Sequence, residues 1–175
     1  MATGFPVKGT GGGTSYANGN PLSASDLNDG FGTLNLLANY YTGNPAILGA
    51  IETANIVASA ATGTINIDTK TSTVWYYTTN ASANFTLNIR GNSGTSLNTL
   101  LATGQSITVV FLNTNGSTAY YANAFQVDGS SVTPKWQTGT APTAGNASSI
   151  DAYSYTIIKT ASATFTVLAS QVKFA

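Results

Sequence analysis

Apolar and polar residues alternate with period two along much of the chain. Gly63-Thr-Ile-Asn-Ile-Asp68 sets Ile65 and Ile67 on one side and polar residues on the other. Ala83–Arg90 repeats the pattern with Phe85, Leu87 and Ile89. Such alternation predicts strands with one face in a core and one in water. Thr73–Thr78 and Ser106–Leu112 are denser in β-branched and aromatic residues, which suits central strands covered on both faces. Further strands are expected over 51–58, 119–121, 124–127, 152–159 and 164–174. Turn residues fall between them at 91–94, 113–116 and 128–129. This spacing predicts a mainly β domain over 46–175, an antiparallel β-sandwich or jelly-roll-like fold. No helical pattern alternates with the strands, and no repeat of fixed period is visible.

The front of the chain follows other rules. Residues 1–21 hold Gly9, Gly11, Gly12, Gly13 and Gly19 and show no apolar periodicity. They predict a flexible tail or an extended arm that orders on a neighbour, the arm having Phe5 and Val7 as its candidate anchor. Residues 22–43 predict one short helix. Ser23 and Asp26 have capping-box spacing, with Asp in place of the usual Glu, and Gly43 and Pro45 form a stop. Leu27, Phe31, Leu34, Ala38 and Tyr41 follow one another at spacings of four and three, a heptad-like seam. Gly30 and Gly32 each weaken such a helix by roughly 1 kcal/mol relative to Ala, so it needs a surface to pack on. Its own domain and the helices of other copies both fit that need.

Composition narrows the chemistry. The 175 residues include six basic and six acidic side chains and neither Cys nor His. Only 7% of the chain is charged, against about 25% in an average protein. Thr, Ser and Asn make up roughly a third, well above average usage. Without Cys there is no disulfide framework or thiolate metal site, and without His the commonest general base is missing. A net charge of zero lacks the basic face that nucleic acid requires. No window approaches about 18 consecutive apolar residues, so no membrane-spanning helix is expected.

Catalytic candidates are few. Asp26, Asp29, Glu52, Asp68, Asp128 and Asp151 are scattered, and no pair is singled out for glycoside hydrolysis. A serine nucleophile would depend on one of five lysines, none in a motif. Lys8 precedes the glycines of Gly9-Thr-Gly-Gly-Gly, the reverse of a phosphate loop. The expectation is therefore a protein with no enzymatic activity, cofactor or metal. Aromatic residues cluster at Trp75-Tyr-Tyr77 and Tyr120-Tyr121. Neighbours on a strand point to opposite faces, so Trp75 or Tyr77 and Tyr120 or Tyr121 are candidates for surface recognition.

From about residue 50 onward the chain resembles a β module of tailed-phage virion proteins, especially those of cyanophages. The likeness is carried by Glu52-Thr-Ala-Asn-Ile, Gly63–Asp68, Trp75–Asn92, Gly104-Gln-Ser-Ile-Thr-Val, Ala119-Tyr-Tyr, Gln126-Val-Asp-Gly, Thr133-Pro-Lys-Trp-Gln and Ala163–Gln171. Gly19-Asn-Pro-Leu-Ser-Ala-Ser-Asp-Leu-Asn-Asp29 is similar to the opening segment of phage tail-fibre and other appendage proteins, where it lies at the virion-attached end. The resemblance implies a virion structural protein without enzymatic activity and transfers no catalytic or binding residue.

The resulting expectation is a tail or baseplate appendage assembled in the host cytoplasm and located in the virion. Its expected partners are copies of itself, as a homotrimer, and other virion proteins. A single β module departs from a long fibre. That leaves a head decoration or cement protein on the major capsid protein as an alternative. A module binding host-surface glycan is a second.

Overall fold

Ten strands build two sheets; eight overlap the segments expected from the sequence, and two short ones, Ser130–Ser131 and Lys135–Trp136, lie outside them. A computed structural model describes residues 51–175, Ile51–Ala175, and the account below is of these. The strands are β1 (Ala54–Ala60), β2 (Gly63–Asp68), β3 (Val74–Thr79), β4 (Phe85–Arg90), β5 (Ser106–Asn115), β6 (Ala122–Val127), β7 (Ser130–Ser131), β8 (Lys135–Trp136), β9 (Ser149–Ala161) and β10 (Thr164–Phe174). One short helix, α1 (Leu97–Leu100), lies between β4 and β5. The larger sheet has the order β1-β3-β5-β9-β10-β8 and the smaller β2-β4-β6-β7.

The domain is mainly β, as the pattern predicts, but its sheets are mixed. The first six strands alternate between the sheets, and each pairs in parallel with the strand two before it. The chain therefore makes three windings, β1–β2, β3–β4 and β5–β6. Like positions stack: Ile65 on Leu87 on Phe125, and Ile67 on Ile89 on Val127. All six side chains are buried. A parallel pair needs a long crossover, and the crossover strand here lies in the opposite sheet instead of a helix. β5, β9 and β10 then run antiparallel and close the larger sheet. The repeat is uneven because α1 and the loops around it lengthen the connection from the second winding to the third. This hides the repeat from a search for fixed periods.

Two expectations at the element level change. Residues 119–121 form no strand. Asn113–Asn115 do not turn but continue β5, because Asn113 and Asn115 point inward and hydrogen-bond there. Asp128-Gly129 does make the turn the sequence announces. Both residues have positive φ, 52° and 79°, and join β6 to β7 as a two-residue hairpin loop.

The core lies between the sheets. Phe85, Phe111, Tyr153 and Tyr155 fill its centre, with ring centroids 5.4 Å apart for Phe85–Phe111 and 6.3 Å for Tyr153–Tyr155. Leu87 is completely buried within the stack. Leu87→Ala is expected to lower unfolding free energy by about 3 kcal/mol. Urea denaturation followed by tryptophan fluorescence checks this, and a loss below about 1 kcal/mol would mean that the stack is loosely packed.

Candidate functional site

Each described carboxylate is tied to the fold. Asp68 accepts a hydrogen bond from Arg90 Nε at 2.6 Å across neighbouring strands, with both side chains partly exposed. Next to this pair, Asn88 Nδ2 donates to Asn66 Oδ1 at 2.8 Å, so the outer face of the smaller sheet is a polar ladder. Asp128 Oδ1 and Oδ2 accept from the backbone N–H groups of Leu97 and Asn98 at 2.6 and 2.9 Å, capping α1 from another element. Glu52 accepts from the Thr73 hydroxyl. Asp26 and Asp29 lie outside the described residues.

Asp151 is fully buried on β9 without a cation. Its oxygens accept from Asn146 N and Nδ2 at 2.9 and 2.6 Å, Asn115 Nδ2 at 3.1 Å and Gln171 Nε2 at 3.2 Å. Four amide donors replace the water that a buried carboxylate loses. The Asn113 side-chain oxygen beside them is buried without a partner. Gly145 brings the loop against this cluster, where a Cβ would strike the Tyr120 carbonyl. At the far end of the same strand face, Lys159 Nζ donates to the carbonyls of Asn98 and Leu101 at 2.6 and 2.9 Å. These are carbonyls at the C-terminal turn of α1. The neutral core is thus bounded by one anion and one cation, each satisfied by uncharged groups.

The aromatic candidates distribute differently from the expectation. Trp75 faces the core, 9% exposed, with its indole N–H bonded to the Ser72 carbonyl at 2.9 Å. It offers no surface platform. Tyr77 packs on Phe111 with a centroid distance of 5.3 Å. Tyr120 and Tyr121 are half-buried against the core. The outward member of the first cluster is Tyr76. Phe5, Val7, Leu27, Phe31, Leu34, Ala38 and Tyr41 lie outside the described residues, and with them the arm and the seam.

Trp136 is an aromatic residue that the strand pattern does not single out as a recognition candidate. It sits on β8, edge-on to Tyr155 at 5.9 Å, and lines a groove of about 300 Å³ with Phe125, Val132, Pro134 and Pro142. Asn123, Ser131 and Thr133 add polar groups at its sides. The Thr133-Pro-Lys-Trp run is the signal in the sequence, because Pro134 fixes the entry to β8.

The two sheets present opposite outer faces. The smaller carries the amide and ion-pair ladder described above. The larger exposes Ile56 (60%), Leu168 (46%), Val172 (48%) and Phe174 (58%). Among the described residues no group of three or more His, Cys, Asp or Glu side chains has a metal-binding arrangement, and no helix is long and apolar enough to cross a membrane. No protein-family model, curated protein or solved structure matches the chain.

Burial raises the Tyr155 hydroxyl well above its ordinary pKa of 10, with the neighbouring Tyr153 adding to the shift. Burial, then the Asp151 carboxylate, raise Tyr153 likewise. A raised folded-state pKa means that the neutral phenol stabilises the fold below the unfolded value and that this contribution is lost as pH rises. Stability is therefore expected to fall above about pH 10. Tyr155→Phe should flatten that fall, and urea midpoints measured from neutral pH upward check it. An unchanged slope would assign the alkaline loss to other groups.

Proposed function

We propose that the chain is a non-enzymatic structural subunit of a bacteriophage virion. In this reading it belongs to a tail or baseplate appendage, works as a homo-oligomer and is attached through its N-terminal arm. The observation that carries the reading is the contrast between the two outer faces. One is a polar ladder, and the other sets exposed apolar side chains among Ser and Thr with a single charged side chain, Lys135, at its β8 edge, the kind of surface that marks a contact with another protein. The carboxylates support it, since the described ones hold strands, a helix end and a buried cluster in place. The resemblance of the β module to tailed-phage virion proteins supplies the setting.

Mass spectrometry of purified phage particles that encode this chain tests the reading. The chain is expected as a stoichiometric component that survives high-salt washing. Its absence from particles that are otherwise complete would overturn the proposal. Copy number separates the placements: a few to dozens fit a tail appendage, whereas hundreds fit a decoration protein on the capsid.

The groove beside Trp136 favours a second reading, recognition of host-surface glycan. An indole flanked by Asn, Ser and Thr groups has the stacking and hydrogen-bonding chemistry that sugars need. A glycan array would show binding that Trp136→Ala reduces at least tenfold. An array without signal removes this reading and leaves the structural one intact.

A further inference from the structure

The outer face of the larger sheet is ordered in a way that specifies its partner. Strand registers place Ile56, Tyr76, Leu112, Ala152 and Val172 side by side in one row across β1, β3, β5, β9 and β10. The same face continues through Val74 and Val110 on one side of the row and Ile150 and Phe174 on the other. Ser and Thr supply most of the rest. No Asp, Glu, Lys or Arg points outward from these five strands. Asp151 and Lys159 point into the core, and Lys173 lies on the same side as Gln171, which reaches Asp151.

We propose that this face packs against the same face of a second copy of the chain. The inference rests on the homo-oligomeric reading above and names its contact. Three features select a copy over an unrelated partner. First, these five strands add no charge to the face, whose one charged side chain is Lys135 on the flanking β8, so it offers little electrostatic address for a charged partner, and a chain with zero net charge does not repel itself. Second, the row is complementary to itself. Turned about a two-fold axis along the central strand, Leu112 meets Leu112, Ile56 meets Val172, and the large Tyr76 meets the small Ala152 twice. Alternating large and small side chains across facing layers is how sheets interdigitate at about 10 Å separation.

Third, the size fits. Five strands about 4.8 Å apart, with about seven residues each at about 3.3 Å, give a flat footprint of about 24 by 23 Å. Side chains standing up from that sheet raise its accessible area toward the roughly 800 Å² per partner of a stable interface. The contact is isologous and closes on itself.

Sedimentation of the full chain at about ten micromolar tests this against Val172→Asp. The variant is expected to have half the assembly mass of the parent, with an unchanged circular dichroism spectrum. Equal masses for two folded proteins would overturn the inference. If Val172→Asp loses its fold, Phe174→Asp at the end of β10 replaces it under the same criterion. Leu112→Cys supplies a second readout, since the chain has no other cysteine. A short bis-maleimide should link two copies through it, whereas Thr64→Cys on the opposite sheet should stay unlinked. Linking at Thr64 but not at Leu112 would place the contact elsewhere and overturn the inference. Failure of the virion reading would appear separately, as absence from particles despite intact pairing in solution.

Discussion

Strand β9 sets the constraint on which the domain depends. It lies inside the larger sheet, and its inward side chains run from Asp151 through Tyr153, Tyr155 and Ile157 to Lys159. An unpaired buried charge costs several kcal/mol unless hydrogen bonds compensate it. Both ends of this strand therefore dictate structure around them. Asp151 draws in β5 through Asn115, β10 through Gln171 and the loop at Asn146. Lys159 holds α1 by its carbonyls, and Asp128 holds the other end of α1 by its N–H groups. The core between these ends stays apolar and aromatic.

That arrangement explains how so few charges suffice. Neutral amides and hydroxyls make most of the specific contacts, and Asp128, Asp151 and Lys159 hold a helix end, a buried cluster and the carbonyls of α1. Asp68 and Arg90 tie two parallel strands at the surface. Parallel stacking makes such ties efficient, because identical positions of successive windings fall side by side. Asn66 and Asn88 share one hydrogen bond for the same reason.

Much of the domain was legible in the sequence. Period-two alternation located β2 and β4, and Asp128-Gly129 announced its turn. The mainly β class followed from these. Strand direction did not, because alternation is the same in parallel and antiparallel pairs, and the unequal windings removed the fixed period that signals stacking. Asn113 and Asn115 carry a turn signal because Asn favours turns. Their partner Asp151 lies far along the chain, and only the folded register brings them together. Trp75 illustrates the same limit: which of two neighbouring aromatics faces inward depends on strand phase. The apolar row on the larger sheet was invisible for a related reason, since its five members come from five separate strands.

The unequal windings have an evolutionary consequence. Stacked strands fix the register, so the connections between them are free to change length without disturbing the pairs on either side. The chain already shows this: α1 and its flanking loops sit in the connection between the second and third windings, and β5 and β6 remain aligned with β3 and β4. Descendants of such a fold would diverge fastest where the chain crosses between sheets. Their cores would stay superimposable while their sequences lost alignable spacing, so kinship among them would persist in shape after it had faded from sequence.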